Sequence, residues 1–463
     1  MRAKFTAALG LAGLVSLSAC VDLEEEIVTG VTSAYYETAA GLEDAVKAAY
    51  SGLGDQYAQE RSMTMQEMGT DTWIKGSDGS HKFWNDYDPQ LNPVASFTRE
   101  HWDLTYRAIN TANAVVERAP KVPVSGPFTE ARRTLRIAEA RFLRGLYYFS
   151  LVRHYGDVPL TLKETTGVVT EAKRAPEADV YKAIIDDLAF AEANLPASQG
   201  EYGRATRGAA QHLLGLVYLT RSYESFAQAG DADRAADLFR KVIGSGQYRL
   251  LPSYADLFKL ENERNSEVIF SAQFTSDPLT TGTGNSWHLY FLMEYDRELG
   301  MTRDIQYGRP FKRLRPTEYL LGVHDRSRDT RYEAGFQHVW LVNKADPSKG
   351  LALGDTAIYM PAVKSSALPA VYKNKKYTVF TEPENFEKPQ ARPVAGAANV
   401  KSEYDYRYYP TLTKHLDPTR ASINETRGQR DLFVMRLADT HLLLGEALLR
   451  AGKPQEAVAH LNL

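Results

Sequence analysis

Apolar residues recur along this chain in a helical rhythm in some stretches and lose all regular rhythm in others. From Glu130 to His154, the positions Leu135, Ala138, Phe142, Leu146, Phe149 and Val152 follow one another at steps of three or four. That period lays one apolar stripe along a helix, and Gly156-Asp157-Val158-Pro159 supplies its stop. A second helix is predicted from Pro176 to Leu195, with Ile184, Leu188 and Ala191 on one face and Pro196 beyond its end. Trp102, Tyr106, Ile109 and Asn113 mark a third. An aromatic stripe at that spacing belongs to the core, so Trp102 and Tyr106 read as structural. Asn113 on such a helix requires either a buried partner or solvent.

These helices carry a pairing logic. Ile184-x3-Leu188-x2-Ala191 followed by Pro196 matches the second helix of a tetratricopeptide hairpin. Leu214-Gly215-x2-Tyr218 matches a first helix and Ala235-x3-Phe239 its second. Near the end, Leu444-Gly445-x2-Leu448, the turn Gly452-Lys453-Pro454 and Ala457-x3-Leu461 repeat the pattern. Gly145, Gly215 and Gly445 are expected where helices approach closely, with large side chains filling the gaps. One hairpin cannot bury its own apolar face, so neighbours must stack. The units are degenerate and far apart, which excludes a plain tandem array and leaves generic helix pairing as the alternative. Residues 247–430 differ: Gly, Pro, Asp, Asn and Thr are dense and periodicity is lost. Thr281 to Asn285 and Pro383 to Ala398 read as loops, while Glu267 to Phe270 and Tyr377 to Phe380 read as short strands. The expected fold is mainly α, a scaffold of tetratricopeptide-like hairpins over 31–246 and 431–463. An irregular, loop-rich part with a few short strands is expected over 247–430. Long irregular segments of this kind carry function.

The first residues change the picture of where the chain works. Arg2 and Lys4 precede an apolar stretch from Ala7 to Leu17, closed by Leu17-Ser18-Ala19-Cys20. This is a secretory signal too short to span a bilayer. The only Cys of the chain stands where a bacterial lipoprotein signal needs it, which implies cleavage after Ala19 and lipidation of Cys20. Several acyl chains, at about 0.8 kcal/mol per buried methylene, anchor a protein stably. Residues 1–19 are thus expected to be a signal peptide and 20–30 a lipidated acidic tether carrying Asp22, Glu24, Glu25 and Glu26. Residues 31–463 are expected to form a single domain. With Cys20 lipidated no disulfide can form. A net charge of −3 offers no footprint for nucleic acid.

Specific motifs then bring a family into view. Ala138-Glu-Ala-Arg-Phe-Leu-Arg-Gly-Leu-Tyr-Tyr-Phe149 followed by Gly156-Asp157-Val158-Pro159-Leu160 resembles the central signature of the SusD/RagB family. Trp102 to Asn113, Ala205 to Ala210, Asn265 to Phe270, Tyr409-Pro410 to Lys414, and Arg436-Leu437-Ala438-Asp439 to Ala447 are similar to further stretches of that family, in its order. The resemblance implies a nutrient-binding lipoprotein of the outer membrane, exposed at the cell surface and seated as a lid on a TonB-dependent β-barrel transporter. The scaffold would meet the barrel and the loop face would hold a glycan or a peptide. Family members continue past the last hairpin, so a truncated C-terminus is expected here. A tetratricopeptide-like lipoprotein that serves as a scaffold for protein assembly is the alternative.

No catalytic constellation is visible: HExxH and phosphate-binding loops are missing, and His81, His101 and His288 lack metal-ligand spacing. Neither enzyme activity, cofactor nor metal is expected. Tyr is plentiful at 27, beside 18 Phe and 5 Trp, a surplus that suits flat platforms for sugars. Asp71 and Trp73, Trp84, Asn85 and Tyr87, and Asn285, Trp287 and Tyr290 are aromatics and polar neighbours outside the helical rhythm. They are the candidate ligand residues, because sugar C–H faces stack on rings while Asp and Asn bond hydroxyls. The ligand-binding loops of the resembled family lie in roughly the same two regions.

Overall fold

The structure, a computed structural model, describes residues 33–277, 280–386 and 397–461. Cys20 and the acidic tether, expected at the start of the chain, lie outside the described residues. Helices α1 (Ala39–Tyr57), α2 (Glu60–Glu67), α3 (Ser96–Arg118), α4 (Glu130–Tyr155), α5 (Glu177–Asn194), α6 (Arg207–Arg221), α7 (Asp231–Gly244), α8 (Leu437–Arg450) and α9 (Pro454–Leu461) carry the helical part. They pack as a row: α1 on α3, α3 on α4, α4 on α5, α5 on α6, α6 on α7, α7 on α8 and α8 on α9. Each helix therefore buries its stripe against its neighbours, as stacked hairpins do. The loop-rich part lies in the chain between α7 and α8.

Packing explains the three glycines. A Cβ on Gly145 would come within 3.0 Å of Leu188, on Gly215 within 2.8 Å of Phe239, and on Gly445 within 2.8 Å of Leu461. Each helix pair closes on a large side chain of the second helix seated over a glycine of the first. The central signature has an equally physical reason. Arg144 donates to both carboxylate oxygens of Asp187 on α5, at 2.7 and 2.8 Å, and to Asn113 Oδ1 on α3 at 2.7 Å. Asn113, fully buried, donates in turn to the carbonyls of Thr161 and Lys163. Glu139, also fully buried, accepts from Arg136, Arg204 and Tyr50. The charged positions of the signature thus wire four helices, α1, α3, α4 and α5, together inside the scaffold.

Short strands organise the remainder: β1 (Trp73–Lys75), β2 (Val268–Ala272), β3 (Leu314–Pro316), β4 (Phe336–Gln337), β5 (Val339–Leu341), β6 (Thr356–Tyr359), β7 (Thr378–Thr381), β8 (Val400–Glu403), β9 (Thr411–Leu412) and β10 (Leu432–Arg436). β2 and β10 pair antiparallel, and β5-β6-β7-β8 form a four-stranded mixed sheet. The β2–β10 ladder joins the two parts, since Phe270 packs edge-on against Phe142 of α4 and β10 runs directly into α8. One continuous core crosses this seam. The architecture is a helical scaffold of tetratricopeptide type carrying an irregular part with few strands.

Candidate functional site

The two stretches singled out in the sequence meet through a third. β1 pairs with β3, placing Trp73 opposite Pro316, Ile74 opposite Arg315 and Lys75 opposite Leu314. Just before β3, Phe311 N–H donates to Leu289 and Arg313 N–H to Tyr290, so 311–316 lies between the 71–87 and 285–290 stretches. Close backbone approach holds this arrangement. Gly76 N–H donates to Arg313, and a Cβ on Gly76 would stand 2.2 Å from the Lys312 carbonyl oxygen. Gly79, at φ +95°, faces the Arg313 side chain, which pairs with Glu60 at 2.7 Å and Asp78 at 3.4 Å. The Gly/Ser/Asp-rich run before α3 is thus a cradle for the 311–316 segment rather than a free loop.

The eight candidates divide by burial. Trp73 is buried, edge-on to Phe291 and stacked near Phe336. Trp287 is buried too, its Nε1 donating to the Tyr57 carbonyl at 2.7 Å and its ring edge-on to His415. Tyr290 is buried, and burial pushes its hydroxyl pKa well up. Asn285 is buried and spends its side chain on the Arg430 carbonyl and the Trp287 N–H. These four shape the floor, because aromatic side chains in an irregular segment supply its core as helix stripes do elsewhere. Trp84 is half-buried against the core.

Asp71 and Tyr87 remain at the surface, and Asn85 is half-buried. Asn85 Oδ1 accepts from the Lys75 N–H at 2.8 Å, and its amide donates to Asp86. Asp86 pairs with Lys75, whose hydrogen bond holds that carboxyl below its usual range. Tyr87 is 70% exposed at φ 51° and ψ 36°, a left-handed conformation that bulky residues rarely take. Its hydroxyl donates to the Gly69 carbonyl at 3.1 Å, fixing the ring at both ends. Lys312, across the cradle, also has φ 51°; among the described residues only three non-glycines have positive φ, and these are two of them. Strained backbone of this kind collects at functional sites.

Sequence reasoning missed the partners of this face. Thr317 donates to the Asp71 and Thr72 carbonyls and caps the single helical turn that carries Tyr319, 59% exposed. Arg315 is buried with its guanidinium 4.8 Å over the ring of Tyr406, which is 41% exposed. Three of the five exposed tyrosines among the described residues are therefore tied to the β1–β3 ladder. The available signal was the pair of glycines at Gly76 and Gly79, which called for a backbone laid close against them. Among the described residues no group of three metal-ligating side chains occurs, and no helix is long and apolar enough to cross a membrane.

Comparison with known proteins settles the family. A SusD-like model described as "Starch-binding associating with outer membrane" matches residues 29–219, and the "SusD family" model matches residues 241–463. The chain belongs to the SusD/RagB family. A SusD-like protein of Bacteroides ovatus is 34% identical over 179 residues, 37% of this chain and 32% of that protein. SusD-like protein P2 of Formosa agariphila is 26% identical over 286 residues, 59% of this chain and 54% of the relative. These matches span between about a third and about a half of the relatives' own length. Among solved structures, a laminarin-binding SusD-like protein superposes with a TM-score of 0.65 at 22% identity, covering 92% of this chain and 85% of the other. At that identity the likeness speaks to the fold. The SusD-like chain thus shares the family's helical scaffold.

Proposed function

We propose that this protein captures a glycan at the outer-membrane surface through the β1–β3 face and performs no chemistry on it. Tyr87 carries the reading: an exposed aromatic ring held in strained backbone and pinned through its hydroxyl, so that its face is preset for stacking. Asp71 and Asn85, with Tyr319 and Tyr406, complete a face of flat rings and hydroxyl-bonding groups. The starch-binding family model and the laminarin-binding structural relative support a polysaccharide as the ligand class. The same reading makes the chain a lipoprotein anchored through Cys20 and the lid of a TonB-dependent β-barrel transporter.

Affinity electrophoresis through gels containing laminarin or starch tests the ligand. Retardation by at least one polysaccharide, reduced at least tenfold in Tyr87→Gly, is the expected result. Equal retardation of the variant would remove the face from consideration. No reducing ends are released in the same incubations. A mild-detergent pull-down of the full-length lipoprotein from its native membrane recovers a large β-barrel if the lid role holds; recovery of periplasmic assembly factors alone would refute that role.

A further inference from the structure

A cavity of about 310 Å³ opens at the seam between scaffold and loop-rich part. It is lined by Tyr57 at the end of α1, by Gln66 and Glu67 of α2, and by Tyr254, Phe258, Lys414 and Phe433. Asn285 and Trp287 contribute to the same wall. Phe258 and Phe433 stack at 5.8 Å, and Tyr254 stands edge-on to Phe258 at 5.2 Å, giving one aromatic side.

Apart from Gln66, which is exposed, and His415, whose Nε2 is buried without a partner, the polar groups of the lining fall into two sets. Arg430 is spent on Glu263 and the carbonyls of Phe258, Lys414 and Leu416; Arg436 pairs with Glu267 and Asp439; Asp431 accepts from the Phe274 N–H. The second set has no partner among the described residues. Neither the Tyr57 hydroxyl, the Tyr254 hydroxyl, the Glu67 carboxylate nor the Lys414 ammonium makes a hydrogen bond or ion pair there. The Lys414 ammonium has only the Phe258 ring, 5.6 Å away. Glu67 and Lys414 are each partly withdrawn from water and feel one another's charge without touching. Burial raises the pKa of the first and lowers that of the second.

Half-buried polar groups of this kind demand partners. What enters must accept from an ammonium, donate to a carboxylate, and do either with two phenols. A sugar hydroxyl does both at once, and C–H faces suit the Phe258–Phe433 side. The free carboxylate and free ammonium offset each other, which disfavours a strongly charged ligand. The volume stands at the low end of small-molecule pockets, typically roughly 300–1,000 Å³, so it admits one ring and not a chain. The geometry points to a second sugar site at this seam, which takes a single neutral pyranose ring between Glu67 and Lys414. It rests on polar groups other than those of the Tyr87 face, although Asn285 and Trp287, which floor that face, also stand in its wall.

Saturation-transfer NMR on the full chain, with D-glucose, D-galactose, D-mannose, D-xylose and D-glucuronate each offered alone, tests the assignment. At least one neutral sugar is expected to receive saturation. That signal falls at least tenfold in Lys414→Met and in Glu67→Gln, falls in Tyr254→Phe, which removes only a hydroxyl, and persists in Tyr87→Gly. Four outcomes would overturn it: no neutral sugar bound by the unaltered protein, a signal kept in Lys414→Met and Tyr254→Phe, a signal lost only in Tyr87→Gly, or binding confined to glucuronate. Failure of the Tyr87 face alone would leave the seam signal in place, so the two readings fall separately.

Discussion

At Tyr87 stability and function pull against each other. A left-handed backbone costs a bulky residue roughly 1–2 kcal/mol that glycine does not spend, and the hydroxyl bond to Gly69 returns about 1 kcal/mol. Tyr87→Gly should therefore unfold within about 1 kcal/mol of the unaltered protein in urea, even as polysaccharide retardation collapses. A large loss of stability in that variant would mark Tyr87 as a structural residue instead. Arg144 is the opposite case. It bonds Asp187 and Asn113 inside the scaffold, and Arg144→Leu leaves Asp187 to Arg141 alone and Asn113 Oδ1 without its donor, costing about 1–3 kcal/mol. Its midpoint should fall sharply, and sugar binding by the fraction that stays folded should not change.

Among elements, the pairing of helices is governed by single atoms. Gly215→Ala gains helix propensity of about 1 kcal/mol but forces a methyl to within 2.8 Å of the buried Phe239 ring. Overpacking of about 1–3 kcal/mol outweighs that gain, so the variant should be less stable by roughly 1 kcal/mol, read from its urea midpoint. These helices were legible in the sequence because a 3.6-residue period writes burial directly into residue order. α4 ends one residue beyond the expected His154, and α5 spans Glu177–Asn194 within the predicted stretch. The strands at Val268–Ala272 and Thr378–Thr381 fall on the two runs read as β. The ligand face was only half legible. In irregular segments burial follows tertiary contact, so Trp73, Trp287 and Tyr290 could not be told from Tyr87 by spacing. Arg315 and Tyr319 lay in a stretch with no local signal at all.

The whole molecule should be sensitive to acid. Burial lowers the pKa of seven histidines, His101 to about 3, His212 and His288 to about 4, and also His81, His154, His415 and His441. Unfolded, each titrates near 6.5. The unfolded chain therefore binds more protons below pH 6.5, and stability that is full above it is lost as pH falls toward 4. Asp431 opposes this: burial raises its carboxyl to about 6 in the fold, so its contribution is present at low pH and lost as pH rises from about 4 to 6. The seven histidines outnumber the four carboxyls that burial raises, Asp431 with Glu67, Glu177 and Glu382. Thermal midpoints should be flat above pH 6.5 and decline below it, more steeply in Asp431→Asn; a midpoint that rises on acidification would contradict the assignment.

α7 meets its second neighbour, α8, only across the whole loop-rich segment. Ala235, Ala236 and Phe239 of α7 are buried in one cluster with Leu444, Ala447 and Leu448 of α8. A chain emerging from its amino end can dock α7 on α6 at once, but the other side of α7 stays bare until Leu437–Arg450 arrives. Completion of this part of the scaffold is thus postponed until α8 has emerged, and throughout that interval the uncovered side of α7 is a surface on which a second, equally unfinished copy could place its own α8.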